Sequence, residues 1–303
     1  MAKIFLTGSN GQLGRALQSL FDKDPSVRVM YSMLEHEVAI WEKEILSDTN
    51  GKRQQAIALD ITDENSVMGA ITAFMPDIVI NCAAHTAVDL CESEPEKAYS
   101  LNAQGVEYLA NAASKVDAKF VQVSTDYVFD GTKEQVYTEE DSPNPQSVYG
   151  ETKLQGEILA KRFCEKVFIV RTAWVYGDGK NFIKTMLRLS ETNDTIRVVN
   201  DQHGSPTSAL ELARAILRIM DSEQYGIYHA TCEGDTTWYE FAREIFRLTS
   251  KEVNVVPITT KEYPTPAKRP AYSVLLNGNL SKLGYTMKSW QEALEEYFRL
   301  YMR

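Results

Sequence analysis

Tyr149 and Lys153 stand four residues apart in the run Tyr149-Gly150-Glu151-Thr152-Lys153. On a helix that spacing puts both side chains on one face. An unperturbed phenol ionises at about pH 10, too high for easy proton exchange at neutral pH. A neighbouring ammonium favours the phenolate and lowers that value. Such a pair can hand a proton to an alkoxide as it forms. Tyr-x-x-x-Lys also arises by chance on many helices, so its meaning depends on its surroundings.

Two further stretches supply those surroundings. Ser124-Thr125-Asp126-Tyr127 closes the apolar run 119–124. If that run is a strand of a parallel sheet, its carboxyl end opens on the ligand crevice. A hydroxyl placed there can polarise a substrate carbonyl; Thr125 is the first choice and Ser124 the reserve. Asn81-Cys82-Ala83-Ala84 closes another apolar run with small residues, against which a cofactor can lie. Each stretch alone fits core packing, but all three in order are harder to explain that way.

A third constellation sits near the start. Thr7-Gly8-Ser9-Asn10-Gly11-Gln12-Leu13-Gly14 has glycines spaced G-x-x-G-x-x-G between an apolar run and a helical pattern. Gly8 permits a tight turn, Gly11 lets the backbone approach a diphosphate, and Gly14 lets helix pack on strand. The helix start then offers unpaired N–H groups to the anion. An acid about 20 residues on would mark NAD. The second strand instead ends in Tyr31 and Ser32, with Glu35 and Glu37 slightly later. That leans towards NADP(H), with NAD(H) possible. Asp60-Ile61, after the third strand, is placed to meet the adenine, while Asp63 fits a helix cap equally well.

The elements that must hold these residues alternate. Strands are expected at 3–7, 27–32, 56–59, 77–81, 119–124 and 167–172, and helices at 12–21, 64–74, 96–115 and 149–163. Strand–helix alternation predicts an α/β fold, a Rossmann-like doubly wound parallel sheet. The charged stretch 33–55 fits poorly and reads as a helix plus a loop. Beyond about residue 176 the pattern loosens into helices at 181–191, 209–220, 238–248 and 290–301, a strand at 226–230, and proline-punctuated loops. We therefore expect a dinucleotide-binding domain over 1–175 and a smaller, mostly substrate-binding α/β domain over 176–303. The helix near 209–220 and the strand near 226–230 are candidates to return to the first domain.

The chain of 303 residues carries a net charge of −10, which argues against a nucleic-acid partner. No run approaches the roughly 20 apolar residues of a membrane span. The short apolar start, Met1 to Leu6, reads as a buried strand rather than a signal peptide, so a cytoplasmic location is expected. Cys82, Cys91, Cys164 and Cys232 show no C-x-x-C pairing, and His36, His85, His203 and His229 are scattered, so no metal site is expected.

The whole set resembles the extended short-chain dehydrogenase/reductases, and within them the dTDP-4-dehydrorhamnose reductase family. The resemblance rests on Gly8–Gly14, Asn81–Asp89, Ser124–Gly131, Tyr149–Lys153, Arg171–Gly177, Val199–Thr207 and Arg269-Pro270. It implies reduction of the 4-keto group of a dTDP-6-deoxy-hexulose with NADPH or NADH, in nucleotide-sugar biosynthesis. It further implies Thr125, Tyr149 and Lys153 as catalytic residues. Cofactor contacts would come from Gly8, Asn10, Gly11, Gln12, Leu13, Asp60, Ile61, Cys82, Ala83 and Ala84, with Asn102 supporting Lys153 through a water. Substrate contacts would come from His85, Thr86, Val88, Ser124, Asp126, Trp174, Asn181 and Arg269. For Trp174 a buried core role, and for Arg269 a surface role, stay open. Some family members dimerise around a magnesium ion held by glutamates, one of them in the first helix. Arg15-Ala16-Leu17 stands here, so neither that metal nor that dimer is expected; the chain is a monomer or a homodimer. The rivals are another nucleotide-sugar 4-ketoreductase on the same fold, a nucleotide-sugar epimerase or dehydratase that retains its cofactor, and a non-catalytic NADP-binding regulatory subunit.

Overall fold

The computed structural model describes residues 1–38 and 55–302. Most of the charged stretch 33–55 therefore lies outside the described residues. Seven parallel strands form the central sheet: β1 (Ala2–Thr7), β2 (Val27–Met33), β3 (Gln55–Ala58), β4 (Ile78–Asn81), β5 (Lys119–Thr125), β6 (Val167–Thr172) and a seventh, Gly226–His229. Their spatial order is β3-β2-β1-β4-β5-β6 and then the seventh strand. Strand order reverses between β1 and β4, which is where a doubly wound sheet opens its ligand crevice.

The strands are apolar on both faces because helices cover both. Ile4 and Leu6 point into one core with Leu13, Leu17, Leu212 and Ile216. Phe5, between them, points into the other with Val67, Ile71, Val106 and Leu109. Ile78 and Ile80 repeat the first direction and Val79 the second, the two-residue period of a strand. The first helix, α1 (Gln12–Phe21), packs beside Ala209–Met220. Helices Glu64–Phe74 and Gly105–Lys115 cover the opposite face.

A third apolar cluster lies away from the sheet. Ile183, Met186, Phe241, Ile245, Trp290 and Tyr297 assemble it from helices Phe182–Leu189, Trp238–Thr249 and Trp290–Tyr301, joined by Tyr176 from the short strand Val175–Tyr176. A parallel pair, Thr195–Val199 with Asn254–Ile258, completes that lobe and was not expected from the sequence. The expected helix over 96–115 is in fact three pieces: Pro95–Tyr99, a π-helical turn Ser100–Gln104, and Gly105–Lys115. Such π turns are rare and cluster at functional sites.

Candidate active site

Glycine geometry builds the crevice. Gly8 adopts φ +60°, and a Cβ there would stand 2.5 Å from the Ala83 nitrogen. A Cβ on Gly14 would stand 2.4 Å from the Gly8 oxygen and 2.5 Å from the Ser9 oxygen. These two glycines are required by the protein's own packing. Gly11 differs: its φ −72° and ψ 169° suit any residue, and a Cβ would meet only the Gly8 oxygen, at 3.3 Å. Gly11 is the N-cap of α1, and no side chain caps that end or places an acid in its first turn. The Gly11 N–H itself donates to the Gly8 carbonyl at 3.0 Å, and the N–H groups of the first turn that follows are left for an anion.

Asn81 fastens the switch point. Its Oδ1 accepts from Thr7 Oγ1 at 2.5 Å and from the Ala83 nitrogen at 3.1 Å, and its Nδ2 donates to Gln122 Oε1 at 2.8 Å. One side chain therefore ties β1, β4 and β5 together just below the crevice. The small run Cys82-Ala83-Ala84 follows directly.

The cleft occupies about 690 Å³. Gly8, Gly11, Gln12, Leu13, Asp60, Ile61, Cys82, Ala83 and Ala84 line it, as do Thr86, Val88, Ser124, Thr125, Asp126, Tyr149, Lys153, Trp174 and Asn181. Four expected residues do not line it. Asn10 accepts from Arg15 and donates to Glu37. His85 packs behind the turn, its backbone held by Asn102. Asn102 donates both amide hydrogens, to the His85 carbonyl at 3.1 Å and to Thr152 Oγ1 at 3.1 Å, while its Oδ1 accepts the His85 N–H at 2.8 Å. It pins the post-β4 turn to the Tyr149 helix. Arg269 makes a two-pronged bridge to Asp89, at 3.0 and 2.9 Å, and so faces the short helix Val88–Ser93 rather than the cleft.

Tyr149 and Lys153 lie on helix Val148–Phe163, which Ser147 caps through the Gly150 N–H. Gly150 is obligatory here, because a Cβ would sit 2.2 Å from the Tyr127 carbonyl oxygen. Tyr127 and Tyr149 meet edge to face at 5.5 Å. The expected lowering of the Tyr149 phenol by Lys153 is not what the structure shows. Burial raises it, the Asp126 carboxyl adds to that rise, and the Thr125 hydroxyl opposes it. The Lys153 ammonium reaches the Val123 carbonyl at 2.6 Å instead. Burial brings its pKa down to about 8, partly offset by the negative charge of Glu157.

Thr125 and Ser124 separate cleanly. Ser124 donates to Glu157 Oε1 at 2.5 Å, away from the cleft. Thr125 donates to Asp126 Oδ1 at 3.0 Å and stands beside the Tyr149 phenol. Asp126 is buried, with its Oδ2 unbonded. Its carboxyl is pushed up to about 6 by burial, against hydrogen bonds from Ser273 and Thr125.

Trp174 adopts φ +49°, a conformation costing about 1–3 kcal/mol for a non-glycine residue and concentrated at functional sites. Its ring stacks on Trp238 at 3.6 Å between centroids and 11° between planes. Both rings line the cleft. Trp238 was missed in the sequence, where it read only as a helix start. Lys180 and Glu37 also line it, the latter already bonded through Asn10 and the Leu34 N–H. Asn181 caps helix Phe182–Leu189 and donates to Gly177 O at 2.7 Å, while Gln12 Oε1 accepts the Gly177 N–H at 2.8 Å. Those bonds join α1 to the second lobe across the cleft. Among the described residues no group of three or more His, Cys, Asp or Glu is arranged to hold a metal, and no helix is long and apolar enough to cross a membrane.

Fold and cleft together define a doubly wound dinucleotide-binding protein with a Tyr-x-x-x-Lys centre. The description of the RmlD substrate binding domain family matches residues 2–302, and the chain belongs to that family. It is 40% identical to dTDP-4-dehydrorhamnose reductase of Aggregatibacter actinomycetemcomitans, over 97% of this chain and 98% of the relative. The crystal structure of a dTDP-4-dehydrorhamnose reductase from Clostridium acetobutylicum superimposes with a TM-score of 0.89 and 47% identity, covering 99% of this chain and 100% of the other. That of Bacillus anthracis, in complex with NADP, gives 0.86 and 37%, covering 99% of both.

Proposed function

We propose that this chain reduces the 4-keto group of a dTDP-6-deoxy-hexulose, turning dTDP-4-dehydro-L-rhamnose into dTDP-L-rhamnose, with NADPH preferred and NADH accepted. The observation that carries the reading is the meeting of Thr125, Tyr149 and Lys153 in one cleft that runs to Gly11 at the open end of α1. The residues present fit a dinucleotide. Gly11 leaves room where a diphosphate would approach, the α1 N–H groups suit its charge, and Cys82-Ala83-Ala84 present little bulk to a nicotinamide ribose. When bound, the cofactor supplies the hydride.

The chain's own residues do the rest. Thr125 Oγ1 and the Tyr149 phenol hold the keto oxygen between them. Tyr149 gives the proton as negative charge develops on that oxygen. Burial keeps Tyr149 protonated in the resting site, so it is loaded as an acid. Lys153 offers its ammonium to a ribose hydroxyl and to the phenolate left behind. Trp174 and Trp238 form an apolar wall for the deoxysugar, and Asp126 and Lys180 border it. The protein works in the cytoplasm as a monomer or homodimer.

The test is incubation with dTDP-4-keto-6-deoxyglucose, a 3,5-epimerase and NADPH. Loss of absorbance at the nicotinamide band with appearance of a dTDP-6-deoxy-L-sugar is the expected result. Absence of NADPH consumption, or protein that purifies with tightly held NAD⁺ and interconverts sugars without net reduction, overturns it.

A further inference from the structure

Behind the cleft lies a buried charged cluster to which the reaction above gives no task. Glu157 follows Lys153 by one more helical step, so Tyr149, Lys153 and Glu157 recur at intervals of four along Val148–Phe163. The Glu157 side chain is 2% exposed and that of Arg171 1%. Arg171 Nε donates to Oε1 at 2.9 Å and Nη2 to Oε2 at 2.6 Å. Ser124 Oγ adds a third donor at 2.5 Å. The β5–β6 register sets Ser124 directly beside Arg171, and the guanidinium is further seated over the Phe129 ring at 5.1 Å.

Stability alone is a weak reason for such a pair. Burying two ions costs several kcal/mol of desolvation, and well-packed apolar residues in their place are often as stable. The location suggests another reason. Lys153 is 4% exposed, in surroundings that favour loss of its proton. The groups bearing on it come from every neighbouring element. Cys82 lies at the end of β4, with a thiol that burial pushes up to about 12 and so keeps neutral near pH 7. β5 contributes the Val123 carbonyl, and β6 contributes Arg171, itself clamped to Glu157. Tyr149, on the same helix, is held protonated by burial. Glu157 is left as the carboxylate whose charge opposes the effect of burial on Lys153.

We infer that Glu157, clamped by Arg171, is a positioning residue of this site: it is the buried counter-charge for Lys153 one helical turn away, and it turns the Ser124 hydroxyl from the cleft so that Thr125 alone receives the carbonyl. The inference rests on the reductase reading for its consequence, but the charge relationship can be measured without turnover.

The test uses Glu157→Gln and the double variant Glu157→Gln/Arg171→Gln, which leaves no unpaired buried cation if the single change unfolds the protein. Lysine labelled with ¹³C at Cε reports the titration of Lys153 by NMR, its signal assigned by loss in Lys153→Met. In Glu157→Gln, which leaves the Arg171 cation uncompensated, the Lys153 midpoint should fall by about one pH unit or more. In the double variant, which removes a positive charge along with the negative one, it should fall by less but stay below the wild-type value. The alkaline limb of kcat/KM for keto-sugar reduction should move down with it. Ser124→Ala should retain most of the turnover that Thr125→Val loses. An unmoved Lys153 midpoint in both variants, or equal losses from Ser124→Ala and Thr125→Val, overturns the inference. A wild type that shows the lysine titration yet consumes no NADPH sinks the reductase reading instead, so the two failures are distinct.

Discussion

The three glycines of the first loop are not equivalent, and that inequality can be turned into a measurement. Gly14→Ala would drive a methyl group to 2.4 Å from the Gly8 oxygen and 2.5 Å from the Ser9 oxygen. Both are backbone atoms, so relief requires moving the loop against α1. Overpacking of this kind costs about 1–3 kcal/mol, and these distances belong at or above the upper end. At about 2–4 °C per kcal/mol for a protein of this size, Tm should drop by roughly 6–12 °C. Gly11→Ala meets one atom at 3.3 Å, on a backbone that alanine adopts freely. Stiffening the unfolded chain returns about 0.4–1 kcal/mol. Its Tm should therefore stay within a few degrees of the wild type. If the diphosphate rests against Gly11, the added methyl removes one or two charge-assisted hydrogen bonds worth about 1.5–3 kcal/mol each. NADPH affinity should then fall by roughly 10- to 100-fold or more. Thermal melts and fluorescence titration with NADPH separate the two effects. A Gly11→Ala protein that folds normally and binds NADPH like the wild type would refute the placement of the diphosphate.

Other outcomes can be stated briefly. Tyr149→Phe should reduce turnover by about 10²–10⁴-fold while the Kd for NADPH is unchanged; undiminished turnover removes Tyr149 from the chemistry. Trp238→Leu removes a stack worth about 0.5–1.5 kcal/mol and should raise KM for the nucleotide sugar with little effect on NADPH binding; an unchanged KM would mean the wall is only structural. His229 is buried and its pKa is brought down to about 3 by burial and by the Arg171 charge. A histidine depressed in the folded state stabilises above its unfolded value of about 6.5, and that stability is lost as pH falls from there towards 3. His229→Leu should flatten this part of the stability–pH curve, and an identical acid slope in wild type and variant would contradict the assignment.

Local pattern carried far in this chain, and its failures have a common cause. Gln12–Phe21, Glu64–Phe74, Ala209–Met220 and Trp290–Tyr301 match their expected bounds because apolar spacing and caps such as Asp63, which accepts the Ser66 N–H at 3.1 Å, are written in adjacent residues. The glycine loop and the Tyr149 helix were legible for the same reason. The helix expected over 96–115 broke at Ser100–Gln104, where the Asn102 side chain grips the His85 turn. A bond between residues 17 apart leaves no periodic trace. Arg269 binding Asp89 and Trp238 stacking on Trp174 are likewise contacts between distant stretches. The effect of Lys153 on Tyr149 was inferred from spacing alone, but the ammonium turns to the Val123 carbonyl and burial raises the phenol.

The seventh strand, Gly226–His229, pairs with β6 at the far edge of the sheet, although it is synthesised after the residues that begin the second lobe. The polypeptide leaves the nucleotide-binding layer, comes back to finish it, and departs again. A truncation at residue 176 would strip β6 of its outer partner and uncover a row of unpaired amides and carbonyls, an invitation to aggregate. Neither half can therefore be excised as a contiguous fragment. A nascent chain cannot close its cofactor layer until it has been made as far as His229.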